Sequence, residues 1–203
     1  MSIITQDIID SAYTYQQFRK DLNKLLEQDK TTGDDHSEAL VEYTRINAHR
    51  MDRLDKKPDL QEDLKEALDE IDRDQVWLAI VEGWCGDVAQ NLPTINKMAE
   101  YSDKIDLQLI LRDEYPEVMD QYTTNGARSI PKVVALDKET LEELWVWGAR
   151  PAECQELMLE LKQQELEYSK IAEKIHHWYA KDKTQSLQNE FRQLVESGML
   201  VEE

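Results

Sequence analysis

The segment Val76-Trp77-Leu78-Ala79-Ile80-Val81-Glu82-Gly83-Trp84-Cys85-Gly86-Asp87-Val88 decides how the rest of the chain is read. Its first six residues form an unbroken apolar run of strand length, as a strand buried on both faces requires. A helix is expected from about Asp87 to Tyr101, so Cys85 stands at the turn between the two. A cysteine in that place meets unpaired backbone N–H groups and the positive end of the helix dipole, both of which favour thiolate over thiol.

Downstream, Ile105 to Leu111 alternates and then turns fully apolar, a strand signal, and Pro116 to Tyr122 suits a short helix. Lys132-Val133-Val134-Ala135-Leu136 and Leu144-Trp145-Val146-Trp147 flank Asp137-Lys138-Glu139-Thr140, which has the length and composition of a hairpin connection. Pro151 is expected to open a helix running towards Tyr168. The order strand, helix, strand, helix, strand, strand, helix implies an α/β fold: a mixed sheet with helices on both faces.

Upstream, residues 1 to about 72 read as helical. Phe18, Leu22, Leu25 and Leu26 recur at helical spacing, and Thr31 to Ser37 supplies turn formers. Asp35 or Ser37 is placed to cap a second helix, which carries Leu40, Val41, Tyr43, Ile46 and Met51 and is closed by Pro58. A third helix from near Asp59 aligns Leu60, Leu64, Ala67, Leu68 and Ile71 on one face. Residues 169–203 have helical spacing too, with Ile171, Ile175, Trp178 and Tyr179 followed by Leu187, Phe191, Leu194 and Val195. The organisation expected is a helical extension over 1–72, an α/β domain over 73–168 and a helical tail over 169–203.

Four landmarks in register carry a family resemblance: Trp84-Cys85-Gly86 after a strand, Pro93 eight residues beyond the cysteine, Ser129-Ile130-Pro131 before a strand, and Trp147-Gly148. Each is weak alone, but their joint spacing resembles thioredoxin over roughly residues 76 to 161. No counterpart of the family's usual first strand is found, so a four-stranded sheet is expected. With its Thr31-Thr32-Gly33 turn and the helix Tyr43 to Met51 ahead of Trp-Cys-Gly-Asp, the whole chain also resembles an uncharacterised bacterial branch of thioredoxin-like proteins.

The resemblance implies that Ile130-Pro131 is a cis-proline loop, that Gly148 closes a substrate groove, and that Cys85 attacks a substrate disulfide, with Trp84, Gly86, Asp87, Ile130, Pro131 and Gly148 contacting the substrate. Two family features are missing. The position of the resolving cysteine is Val88, so a self-contained dithiol cycle is excluded. The buried acid six residues before the cysteine is replaced by Ala79, and Glu82, though acidic, lies too near the strand end to be assumed its equivalent.

Two functions remain open on this reading. Cys85 acts as a monothiol resolved by an external thiol, as in single-cysteine glutaredoxins, with glutathione or another low-molecular-weight thiol as co-substrate. Alternatively, the fold is catalytically inactive and binds a protein or peptide client in the groove near Cys85 and Pro131. Asp87 enters both, since it stabilises the helix N-terminus while placing negative charge near any thiolate.

Composition narrows the partners. The chain has 203 residues and a formal net charge of -19, which repels phosphate backbones and anionic headgroups, so neither nucleic acid nor membrane is expected. The start lacks the basic flank and long apolar stretch of a secretory signal, and the expected location is the cytoplasm. Cys85 and Cys154 are read as free thiols. His176-His177 point about 100° apart on a helix and carry no metal-ligand spacing, so no metal or resident cofactor is expected. The basic stretch Arg45, His49, Arg50, Arg53, Lys56 and Lys57 is read first as pairing with the protein's own carboxylates.

Overall fold

A computed structural model describes residues 3–56, 60–164 and 166–199. The expected roles of Lys57, Pro58 and Asp59 lie outside the described residues. Strand β1 (Gln75–Val81) is buried along its whole length. It pairs in parallel with β2 (Ile105–Leu111) and antiparallel with β3 (Lys132–Asp137). Strand β4 (Glu143–Gly148) pairs antiparallel with β3. The sheet order is β2-β1-β3-β4, the mixed four-stranded sheet anticipated from the sequence. Burial of every β1 residue means both faces of the sheet are covered.

The helices are α1 (Gln6–Ser11), α2 (Tyr15–Glu27), α3 (Glu38–Asp55), α4 (Glu62–Asp69), α5 (Gly86–Tyr101), α6 (Pro116–Gln121), α7 (Ala152–Gln163), α8 (Tyr168–Asp182) and α9 (Gln185–Gly198). The N-terminal region is not helical throughout. Between α1 and α2, Tyr13 exchanges two backbone hydrogen bonds of 2.8 Å with Leu109 and so occupies the free edge of β2. That short bridge satisfies an edge that the missing first strand would leave open. Thr14 then caps α2 through a reciprocal bond with Gln17.

The helix expected from Pro151 towards Tyr168 is shorter than its sequence pattern implies. It ends at Gln163, and a new helix starts at Tyr168. The break turns α8 back across α7, where Cys154, Met158, Leu161, Ile171, Ile175 and Tyr179 form a small apolar cluster separate from the main core. By contrast, α9 enters the main core. Phe191 is fully buried, with ring centroids 5.4, 5.5 and 5.2 Å from Trp77, Trp145 and Trp147. The register puts Trp77 beside Ala135 and Ala135 beside Trp145, so these rings share one face of the sheet.

Topology gathers the site at one end. Because β1, β2 and β4 run in the same direction and β3 runs opposite, the residues after β1, β2 and β4 and those before β3 emerge together. These are Trp84 and Cys85, Arg112, Arg150, and Ile130-Pro131. In open α/β sheets this carboxyl edge is where ligands bind.

Candidate functional site

Cys85 is the N-cap of α5. Its Sγ donates to the carbonyl oxygen of Ile130 at 3.4 Å, joining the cysteine turn to the loop before β3. The Ile130-Pro131 peptide is cis, as is Gly148-Ala149. Gly148 has φ +122°, and a Cβ there would overlap the Pro131 carbonyl oxygen, so glycine is required for β4 to pass the proline loop. The carbonyl of Gly148 accepts from Nζ of the buried Lys132 at 2.9 Å, which fixes the same corner.

A cavity of about 240 Å³ opens beside the cysteine, and Trp84, Cys85, Gly86, Asp87 and Ile130 all line it. Pro131 and Gly148, expected to contact the substrate, do not line it. Trp84 is half-buried beneath the Arg112 guanidinium, which stands 4.6 Å from its ring centroid. The opposite wall was not read from the sequence. It consists of α8, through Tyr168, Ile171, Ile175 and His176, with Met158 and Lys162 from α7.

Asp87 is buried and saturated with partners. Arg150 Nη2 lies 2.6 Å from one carboxylate oxygen, and the Tyr179 hydroxyl donates to the other at 2.9 Å. Asn91 Nδ2 donates to both the Asp87 carbonyl and the Tyr179 oxygen, at 2.8 and 3.0 Å. This network ties α8 to the first turn of α5. It also counters the charge that Asp87 was expected to place near the sulfur.

Part of Cys85 is accessible, yet burial pushes its thiol up to about 12, with Asp87 adding to the rise. The backbone N–H groups of Val88 and Asp87 and the Arg150 charge oppose this without overcoming it. The helix terminus therefore does not deliver the thiolate expected from its position, because desolvation of the charged form outweighs it. Cys154 is buried in the α7–α8 cluster, and both cysteines are free.

Ala79 is buried in β1, as its place in the apolar run requires. The acid in this region is Glu82, with 0% exposure. Its carboxylate accepts from the Thr32 hydroxyl and, at 3.1 Å, from the Asp113 N–H. Burial pushes Glu82 up to about 7. The signal that would have exposed this arrangement is Thr31-Thr32-Gly33: both threonines are buried, and Thr32 also accepts from the Gly83 N–H at 2.9 Å.

His176 packs on Gly86, where an added Cβ would approach its ring to 3.0 Å. Its Nδ1 lies 3.2 Å from Gln90 Nε2, and burial with the nearby Arg50 charge lowers its pKa to about 4. In the basic stretch, Arg45 pairs with Asp29, whereas Arg50 bonds only to the Asn47 side chain at 2.8 Å among the described residues. No group of three or more His, Cys, Asp or Glu side chains among the described residues is placed to hold a metal. No helix among them is long and apolar enough to cross a membrane.

A cysteine N-cap, a cis-proline loop facing it and a β2-β1-β3-β4 mixed sheet define a thioredoxin-like protein. A family model described as thioredoxin matches residues 33–170, and the chain belongs to that family. No curated protein matches it. Among solved structures, it is similar to a protein of unknown function, PA1234, from Pseudomonas aeruginosa, at 18% identity and a TM-score of 0.62, covering 96% of this chain and 98% of that one. It is also similar to an HIV 4E10 epitope-scaffold, at 17% identity and a TM-score of 0.60, with 94% and 96% covered. At such identities the likeness concerns the fold.

Proposed function

We propose that this thioredoxin-like chain uses the cleft between the Cys85 turn, the Ile130-Pro131 loop and α8 to bind a ligand, with Cys85 resting as a neutral thiol. The observation that carries this reading is the S–H bond from Cys85 to the Ile130 carbonyl in desolvated surroundings, a bond that a thiolate cannot donate. Monothiol exchange is the second reading. It is favoured by the N–H groups of Asp87 and Val88, which oppose the rise at the sulfur and would hold a thiolate if an incoming ligand displaced the Ile130 contact.

Incubation with glutathione disulfide at neutral pH, followed by intact mass, separates the two. The binding reading expects no adduct at Cys85, and a reductant-reversible mixed disulfide would overturn the neutral resting thiol. Comparing capture of a client by the native, Cys85→Ser and Pro131→Ala proteins gives the second arm. The Cys85→Ser protein is expected to retain its client, and loss of all capture through that single change would leave covalent exchange as the function.

A further inference from the structure

The chain carries a formal net charge of -19, yet the cavity beside Cys85 is lined by Arg112, Arg128, Arg150 and Lys162, with Asp87 as the carboxylate among its lining residues. That carboxylate is neutralised by Arg150. Arg128 is held from outside the cavity by two 2.6 Å bonds to Asp120 and so offers no free charge. Arg112 pairs through Nε with Asp113 at 2.8 Å and stacks on Trp84, which leaves both terminal amino groups without a hydrogen-bond acceptor among the described residues. Lys162, on the rim, has no carboxylate partner among them either. The Nε–H of Arg150 is buried without an acceptor among them, a state that native proteins rarely leave unanswered.

Trp84, Ile130, Met158 and Ile171 give the same space an apolar wall, with Ser129, Tyr168 and His176 as its uncharged polar members. At about 240 Å³ the cavity is smaller than the roughly 300–1,000 Å³ of drug-sized sites, so it takes a few side chains' volume and not a folded segment. Unpartnered guanidinium and ammonium donors beside an apolar wall fit a carboxylate attached to a small apolar body.

Resting on the reading of this cleft as a binding site, we propose that it takes the free C-terminal carboxylate of a short apolar peptide. The carboxylate lies on Arg112 and Lys162, and the peptide's last side chains lie on Trp84 and Ile171. The same chemistry is offered by a free small peptide and by the C-terminal end of a protein chain.

The test is an NMR titration of the full chain, following the amides of Gly86, Ser129 and Ile171. The probes are acetyl-Gly-Val-Leu as the acid, the same peptide amidated, and Gly-Val-Leu placed at the C-terminus of a small inert protein. The acid is expected to bind about tenfold more tightly than the amide, as removal of a charge-assisted contact implies. Arg112→Ala and Lys162→Ala should each bring the acid towards the amide, Lys162→Arg should retain binding, and added salt should weaken the acid alone. Tighter binding of the protein-borne terminus than of the free acid assigns the source to a chain end, and the reverse order assigns it to a free peptide. Equal affinity for acid and amide, with shifts at the cleft, overturns the carboxylate assignment and leaves the cleft reading standing. No shift at these amides with any probe overturns both.

Discussion

Glu82, buried just after β1, and His176, in the cleft wall, carry shifts of opposite consequence. Glu82 is pushed up to about 7, so between its ordinary value of 4.5 and 7 the unfolded chain has lost a proton that the folded protein keeps, and stability falls as pH rises through that window. The whole effect is on the order of 3 kcal/mol. His176 is lowered to about 4 from 6.5, so the unfolded chain binds the extra proton first and stability falls as pH drops from 6.5 towards 4. The two slopes oppose each other where their windows overlap. Relative to the native protein, Glu82→Gln is therefore expected to gain stability as pH rises from 4.5 to 7, and His176→Gln to gain it as pH falls from 6.5 to 4. Urea denaturation of each variant at closely spaced pH values measures this. A Glu82→Gln profile parallel to the native one would falsify the buried neutral carboxyl. The thiol gives a third test at this scale: alkylation of Cys85 by iodoacetamide should remain slow near neutral pH and accelerate only well above the ordinary thiol range, whereas the urea-unfolded chain should react as a free cysteine does.

At the level of elements, α8 touches the first turn of α5 through the packing of His176 on Gly86, alongside the bonds of Tyr179 with Asp87 and Asn91. A methyl at Gly86 would meet the imidazole at 3.0 Å, so in Gly86→Ala the His176 ring must give way by a few tenths of an ångström, and the packing of α8 on α5 loosens with it. The expected result is a loss of about 1–3 kcal/mol and faster labelling of Cys85. Adding His176→Ala should recover much of both, which a double-mutant cycle reads directly. Equal effects with and without the imidazole would place the strain within α5 instead. The contrast between α5 and α8 also shows what the sequence discloses. Trp84-Cys85-Gly86, Pro93 and Ile130-Pro131 were legible because each is a local backbone requirement written in consecutive residues. The far wall was not, because Tyr168, Ile171, Ile175 and His176 have the periodicity of any amphipathic helix, and nothing in that pattern names the surface it covers. The cationic lining was hidden for a related reason: Arg112, Arg128 and Arg150 are isolated in sequence and converge only through the strand directions. Glu82 was legible as an acid but not as a buried one, since its burial depends on Thr32, fifty residues away.

For the molecule as a whole, the two apolar clusters predict two levels of stability. Helix α9 belongs to the main core through Phe191, which contacts Trp77, Trp145 and Trp147, while Glu190 accepts from Trp147 Nε1 and from the Ala152 N–H, both at 2.6 Å. Helix α8 is held by the smaller cluster with α7 and by the Asp87 network. Truncating a buried phenylalanine costs about 3–5 kcal/mol, and a loss in the main core must be felt by every element that shares it. Phe191→Ala is thus expected to lower the global stability by that amount and to reduce hydrogen-exchange protection in β1, β3 and α5 together. Ile175→Ala removes packing from the minor cluster alone, so it should release protection in α8 while β1 keeps its own, and expose Cys85 to alkylation without unfolding the sheet. Hydrogen exchange by mass spectrometry on the native, Phe191→Ala and Ile175→Ala proteins distinguishes these patterns. If Ile175→Ala lowered β1 protection as far as Phe191→Ala does, α8 would be part of the same cooperative unit as the sheet. The cleft could then open only by unfolding the protein, and the ligand would have to enter between the Cys85 turn and a fixed α8.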